Sequence, residues 1–178
     1  MEVKETYIKD LLILTPKIFK DDRGWFMESF NQNTFNHILK KFGQQPQIFV
    51  QDNHSLSNEG VLRGLHYQKF PYEQGKLIRV IQGKIWDVAV DIRPNSPTFK
   101  KWVGIEISGL NQIQFWIPPG FAHGFIALEN NTHLVYKVTE YYVPELEETI
   151  SWNDSEIAID WPVVNQESII LSLKDRNT

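Results

Sequence analysis

Apart from one helical segment, the apolar residues of this chain recur with period two, which demands strands to bury them. In Ile85-Trp86-Asp87-Val88-Ala89-Val90-Asp91-Ile92-Arg93, the bulky Trp86, Val88, Val90 and Ile92 fall on one face, with Asp87, Asp91 and Arg93 on the other. Val103, Ile105 and Ile107 alternate in the same way with Gly104, Glu106 and Ser108. Turn signals part these runs: Gly83, Arg93-Pro94-Asn95-Ser96-Pro97, Gly109 to Asn111, Pro118-Pro119-Gly120 and Asn130-Asn131. Short strands at this spacing, with no helices between them, predict an antiparallel all-β sandwich or barrel, and a jelly roll is the expected form. The helical exception is Phe35, Ile38, Leu39 and Phe42, spaced i, i+3, i+4, i+7. Asn33 is its expected N-cap and Gly43 its stop, with Lys40 and Lys41 suiting the C-terminal dipole.

At 178 residues, with no repeat or linker, the chain is expected to form one domain over residues 1–178. Its 13% aromatic content, six Trp included, supplies a large core. A net charge of −4 argues against non-specific nucleic-acid binding. No apolar run approaches ~18 residues and the start lacks a signal-peptide core, so neither a membrane span nor export is expected and the cytoplasm is the default. The absence of cysteine excludes disulfides, thiolate nucleophiles and sulfur-ligated metals.

The chemistry centres on Val61-Leu62-Arg63-Gly64-Leu65-His66-Tyr67-Gln68. Simple alternation places Arg63, Leu65 and Tyr67 on one face and Leu62, Gly64, His66 and Gln68 on the other. On that reading, Gly64 beside His66 leaves room for a ligand. Of the five histidines, His37 lies on the helix and is expected to face solvent. His123 ends a Pro-x-Gly-x-x-His turn, Pro118 to His123, that is similar to the second motif of cupins. Metal-binding cupins add two histidines and a glutamate from an earlier motif; here that stretch reads His66-Tyr67-Gln68, so a metal cage is not expected. A metal-free His66 serves as base or binder, since imidazole titrates near pKa ~6.5. Lys76 is either a solvated strand-end lysine or a cation for a developing oxyanion. Tyr136 shares an inward face with Leu134 and Val138, as a core tyrosine or as an acid. Asp175, in Leu171-Ser172-Leu173-Lys174-Asp175, reads on its own as a solvated tail residue.

Asp21-Asp22-Arg23-Gly24-Trp25-Phe26-Met27-Glu28-Ser29-Phe30, Gln51-Asp52-Asn53-His54-Ser55, the Arg63–Gln68 and Asp87–Arg93 stretches, the Pro118–Phe125 turn, Tyr136-Lys137 and Trp152-Asn153-Asp154 follow one another in a specific order. From about residue 15 to 175 the chain resembles the dTDP-4-dehydrorhamnose 3,5-epimerase family, cupin-fold enzymes of dTDP-L-rhamnose biosynthesis. The resemblance implies a barrel-shaped homodimer without metal or cofactor, acting on dTDP-4-dehydro-6-deoxy-D-glucose. It assigns His66 as base, Tyr136 as acid, Asp175 as the carboxylate orienting His66, and Lys76 to the keto oxygen. It gives Arg63 and Arg23 to the diphosphate, and Gln51, Asn53, Glu28, His123, Glu147 and Lys174 to the nucleotide-sugar site. Arg23 and Glu28 are implied to reach the partner subunit's site. The chain departs from the pattern at Lys100, where glycine is common, and at Phe70, where proline is common.

The implied reaction suits these groups. A C4 ketone acidifies the hydrogens on C3 and C5, because either carbanion delocalises onto oxygen as an enolate. Inversion then needs a base on one face and an acid on the other. No hydride moves, so the reaction calls for no nicotinamide. The alternatives are an epimerase of C3 or C5 alone, a metal-dependent cupin, and a cupin that binds a nucleotide sugar without transforming it.

Overall fold

A computed structural model describes residues 1–163 and 168–176. Its strands are β1 (Glu2–Glu5), β2 (Leu12–Thr15), β3 (Phe19–Asp21), β4 (Gly24–Phe26), β5 (Gln51–Ser57), β6 (Leu62–Gln68), β7 (Lys76–Gln82), β8 (Lys84–Asp91), β9 (Trp102–Ser108), β10 (Gln114–Ile117), β11 (Phe121–Ala127), β12 (Thr132–Val138) and β13 (Glu147–Thr149). Two helices join them, α1 (Gln32–Lys41) and α2 (Leu173–Arg176). A six-stranded sheet in the order β1-β2-β10-β7-β12-β5 faces a five-stranded sheet, β13-β6-β11-β8-β9. All the ladders within these sheets are antiparallel, the expected all-β jelly-roll type of sandwich. Among the described residues, no helix is long and apolar enough to cross a membrane.

Alternation fills the space between the sheets: Ile78, Val80, Phe115 and Leu134 from one meet Ile85, Ala89, Val103, Ile107 and Phe125 from the other. Trp86, Val88, Val90 and Ile92 form the opposite face, packed with Ile157 and Trp161 of the C-terminal segment. Helix α1 covers the outside of the six-stranded sheet, pressing Phe35, Ile38 and Leu39 onto Leu12, Leu14, Leu77 and Trp116. The Trp116 indole donates to Gln44 Oε1 at 2.8 Å, so this large buried side chain carries no unmet donor.

Three local expectations change. The N-cap of α1 is Asn31, two residues before Asn33: the Asn31 side chain accepts from the backbone N–H of Asn33 and Thr34, which turns Asn33 into a capped residue. Gly43 does follow the last turn, at φ +74°. Strict alternation fails in β6. There His123 pairs with His66 but Phe125 pairs with Arg63, so β6 carries one extra residue. The bulge puts Leu62, Leu65 and Tyr67 together in the outer layer, and turns Arg63 to the side that His66 and Gln68 share. Gly64 provides no room for a ligand either. A Cβ there would lie 2.5 Å from Gly124 Cα and 2.7 Å from His123 O, so glycine lets two backbones touch.

The two departures from the family pattern lie away from the cavity described below. Lys100 adopts φ +62°, the left-handed conformation that explains the preference for glycine, and its ammonium pairs with Glu156. Phe70 is 82% exposed.

Candidate active site

The bulge matters because His66 belongs to the five-stranded sheet and Tyr136, on β12, to the six-stranded one. Both line one cavity of ≈ 290 Å³ between the sheets, with Gln51, Asn53, Lys76, His123 and Glu147 of the expected set. Tyr67, Gln68, Gln74 and Tyr142 complete its walls and were not anticipated.

The His66 and Asp175 side chains pair at 2.6 Å, Nε2 to Oδ1, and Asp175 is only 3% exposed. With its proton on Nε2 facing that carboxylate, the ring has Nδ1 left to accept a proton. Burial lowers the His66 pKa below the ordinary imidazole value, outweighing the opposite pull of Asp175. The ring is therefore neutral at pH 7. Tyr136 is displaced the other way: burial, then the nearby Glu147 charge, raises its phenol pKa and keeps its proton on.

Lys76 is buried as well. It is 6% exposed, and its ammonium donates to the His66 carbonyl oxygen at 3.2 Å. Desolvation lowers its pKa to about 8, against the attraction of Glu147 and Asp87. His123, paired across the strands with His66, has its own carboxylate: its Nε2 lies 2.9 Å from Oδ2 of Asp87, which is fully buried. Asp87 and Asp91 share a strand face as expected, but Asp91 serves structure. It accepts from Arg93, Ser96 and Thr98 and closes the turn before β9.

Gln68 occupies the position where a metal-binding cupin has its second histidine. Its amide donates to the carbonyls of Tyr72 and Tyr141, at 2.7 and 3.0 Å, and its oxygen accepts from the Val143 N–H at 2.7 Å. That side chain is spent on holding the wall that carries Tyr142. Tyr142 in turn donates to Glu147 at 2.8 Å, and Lys174 pairs with the same carboxylate. Burial would raise the Glu147 pKa, but the bonds from Lys174 and Tyr142 prevail and hold it low. Among the described residues, no three His, Cys, Asp or Glu side chains are grouped to hold a metal ion.

The remaining expected residues stand outside the lining. Asp175 and Lys174 contact it through His66 and Glu147. Arg63 is exposed beside it, its guanidinium donating to Ser57 Oγ and to the Leu56 carbonyl at 3.2 and 3.3 Å. Arg23 and Glu28 are not brought in. Arg23 sits on the β3–β4 hairpin, 90% exposed and, among the described residues, paired with nearby Asp21, while Glu28 accepts from Asn31. Asp87 and Tyr142 escaped sequence reasoning for different reasons. Asp87 stood in a matching segment with no partner to give it a role, whereas Tyr142 lies in a loop without periodicity.

The profile of the family described as dTDP-4-dehydrorhamnose 3,5-epimerase matches residues 5–178. The dTDP-4-dehydrorhamnose 3,5-epimerase of Escherichia coli is 55% identical, over 98% of this chain and 91% of its own length. A crystal structure of the Legionella pneumophila epimerase with dTDP-4-keto-L-rhamnose superposes with a TM-score of 0.92 at 49% identity, covering 99% of this chain and 90% of that one. ChmJ, a 3'-monoepimerase from Streptomyces bikiniensis solved with dTDP-quinovose, is more distant: 29% identity, TM-score 0.87, with coverage of 97% and 84%. With matches spanning nearly its whole length, this chain belongs to the dTDP-4-dehydrorhamnose 3,5-epimerase family.

Proposed function

We propose that this protein, acting as one domain over residues 1–178, inverts C3 and C5 of dTDP-4-dehydro-6-deoxy-D-glucose to give dTDP-4-dehydro-L-rhamnose. The observation that carries this reading is the delivery of His66 and Tyr136 from facing sheets into one cavity that also holds the buried Lys76. Neutral His66 takes the proton α to the C4 ketone, the Lys76 ammonium bears the enolate charge, and Tyr136 returns a proton from the other side. Asp175 fixes the tautomer and steadies the imidazolium that forms. Gln51, Asn53, His123 and Glu147 hold the nucleotide sugar, with Lys174 behind Glu147, and Arg63 at the rim takes diphosphate charge, for which its planar fork is suited.

The protein acts as a homodimer in this reading. The hairpin of β3 and β4 pairs with neither main sheet and exposes Phe19, Trp25 and Phe26 at 52%, 54% and 69%. Arg79, on the outer face of the six-stranded sheet, has a buried Nε without a partner among the described residues, and Leu56 and Ile81 are half-exposed on strands of the same sheet. Cover by a second copy would resolve these features, and would let Arg23 and Glu28 serve the neighbouring site.

Proton NMR of the substrate with this protein in deuterium oxide tests the reading, a rhamnose-pathway reductase and its nicotinamide trapping the product. Deuterium at both C3 and C5, with dTDP-L-rhamnose formed, is expected. Exchange at one carbon makes it a single-centre epimerase, and binding without exchange makes it a binding module.

Tyr136→Phe should separate the half-reactions. The enolate still forms, so deuterium exchange at C3 survives while inversion collapses; normal inversion at both centres would assign the acid elsewhere. Arg63→Ala is expected to raise KM with kcat little changed, because the diphosphate is held alike in ground and transition states. Steady-state kinetics showing a pure kcat effect would contradict that role.

A further inference from the structure

We propose that Ser172 is a positioning residue for the His66–Asp175 pair, an inference that rests on the epimerase reading above. Two backbone bonds pin the C-terminal segment to the start of β6: Leu62 N–H donates to Ile170 O at 3.0 Å, and Ile170 N–H to Gly60 O at 2.8 Å. Two residues on, the chain turns into α2. At that turn the Ser172 hydroxyl donates to Asp175 Oδ2 at 2.8 Å and accepts from the Asp175 backbone N–H at 3.1 Å. The other carboxylate oxygen, Oδ1, faces His66 Nε2 at 2.6 Å.

Among the described residues, Oδ1 of Asp175 thus faces His66 and Oδ2 faces Ser172. A carboxylate is free to rotate about its last torsion, which is broad and shallow. Tying Oδ2 to Ser172 aims Oδ1 at the imidazole, in the way that outer hydrogen bonds orient the groups they support. Ser172 itself is exposed, so trimming its hydroxyl empties no core. Among the described residues, its hydroxyl reaches His66 through Asp175.

The test is an NMR titration of the His66 imidazole, with kcat and KM alongside, in wild type, Ser172→Ala, Ser172→Thr, Asp175→Asn and the Ser172→Ala/Asp175→Asn double variant. Ser172→Ala should lower the His66 midpoint by about half a pH unit, as the imidazolium loses part of its partner. It should also lower kcat about tenfold, with KM within about twofold. Ser172→Thr, which keeps the hydroxyl, should restore both. In the Asp175→Asn background Ser172→Ala should change neither, the signature of two residues acting as one unit. An unchanged or raised midpoint, an unchanged kcat, or an equal loss in the Asp175→Asn background would overturn the proposal. The titration needs no turnover. A wild type that binds but does not epimerise would overturn the functional reading, while the midpoints would still decide the role of Ser172.

Discussion

His66→Ala is expected to cut kcat by about a thousandfold or more and to abolish deuterium incorporation at both C3 and C5. The nucleotide should still bind within a few fold of wild type. His66 has its partner carboxylate behind it and the cavity before it, so truncation removes the proposed proton acceptor without touching Gln51, Asn53 or Arg63. Exchange at both carbons is the sharper readout, because a merely mispositioned sugar would lose one centre before the other. Titration calorimetry with dTDP, paired with the exchange experiment, checks both halves. Wild-type exchange in this variant would remove His66 from the chemistry.

Lys76→Met should do two opposite things. Loss of the ammonium proposed to face the enolate oxygen is expected to cost about a hundredfold in kcat. The fold should become more stable. Moving the lysine pKa from 10.5 to about 8 corresponds to a penalty of roughly 3 kcal/mol for keeping the charge buried. Against this stands the hydrogen bond to the His66 carbonyl, worth about 1 kcal/mol. A gain of about 2 kcal/mol therefore remains at pH 7. The sign has a pH signature. Below pH 8 lysine is charged in the folded and unfolded chain alike, and the whole penalty is present. Between about 8 and 10.5 the folded protein releases its proton while the unfolded chain keeps it, so the advantage of methionine fades. Denaturant unfolding at pH 7 and pH 10 measures this. A variant less stable than wild type at pH 7 would show that Lys76 is held at no cost. In wild type, activity should decline above about pH 8 as the same proton leaves.

The strands were legible in the sequence because period two survives wherever each face packs against one layer. Trp86, Val88, Val90 and Ile92 lie on one face as alternation requires, and so do Val103, Ile105 and Ile107. Alternation failed at Gly64 and Leu65, because a bulge adds a residue without marking it by composition. The face of Arg63 was misassigned for that reason. The helix was legible from its apolar stripe, but three asparagines lie near its start, and only geometry shows that Asn31 receives the N–H groups. In the site, His66 and His123 stood out by residue type and turn chemistry. Asp175 lies 109 residues from His66 and has no local pattern to connect them, so only the family resemblance pointed to it. Asp87 illustrates the same limit, since nothing in the alternating run separates the carboxylate that meets a histidine from the one that closes a turn.

Gln68 sets a limit on what could replace it. Replacing it with histidine would be the first step toward a metal-binding relative of this fold, since it would add a second imidazole two residues from the first. That step would forfeit three hydrogen bonds that tether residues 141–143, and with them the footing of Tyr142 beside Glu147. A histidine at position 68 would therefore be gained only at the expense of the wall that the glutamine ties together.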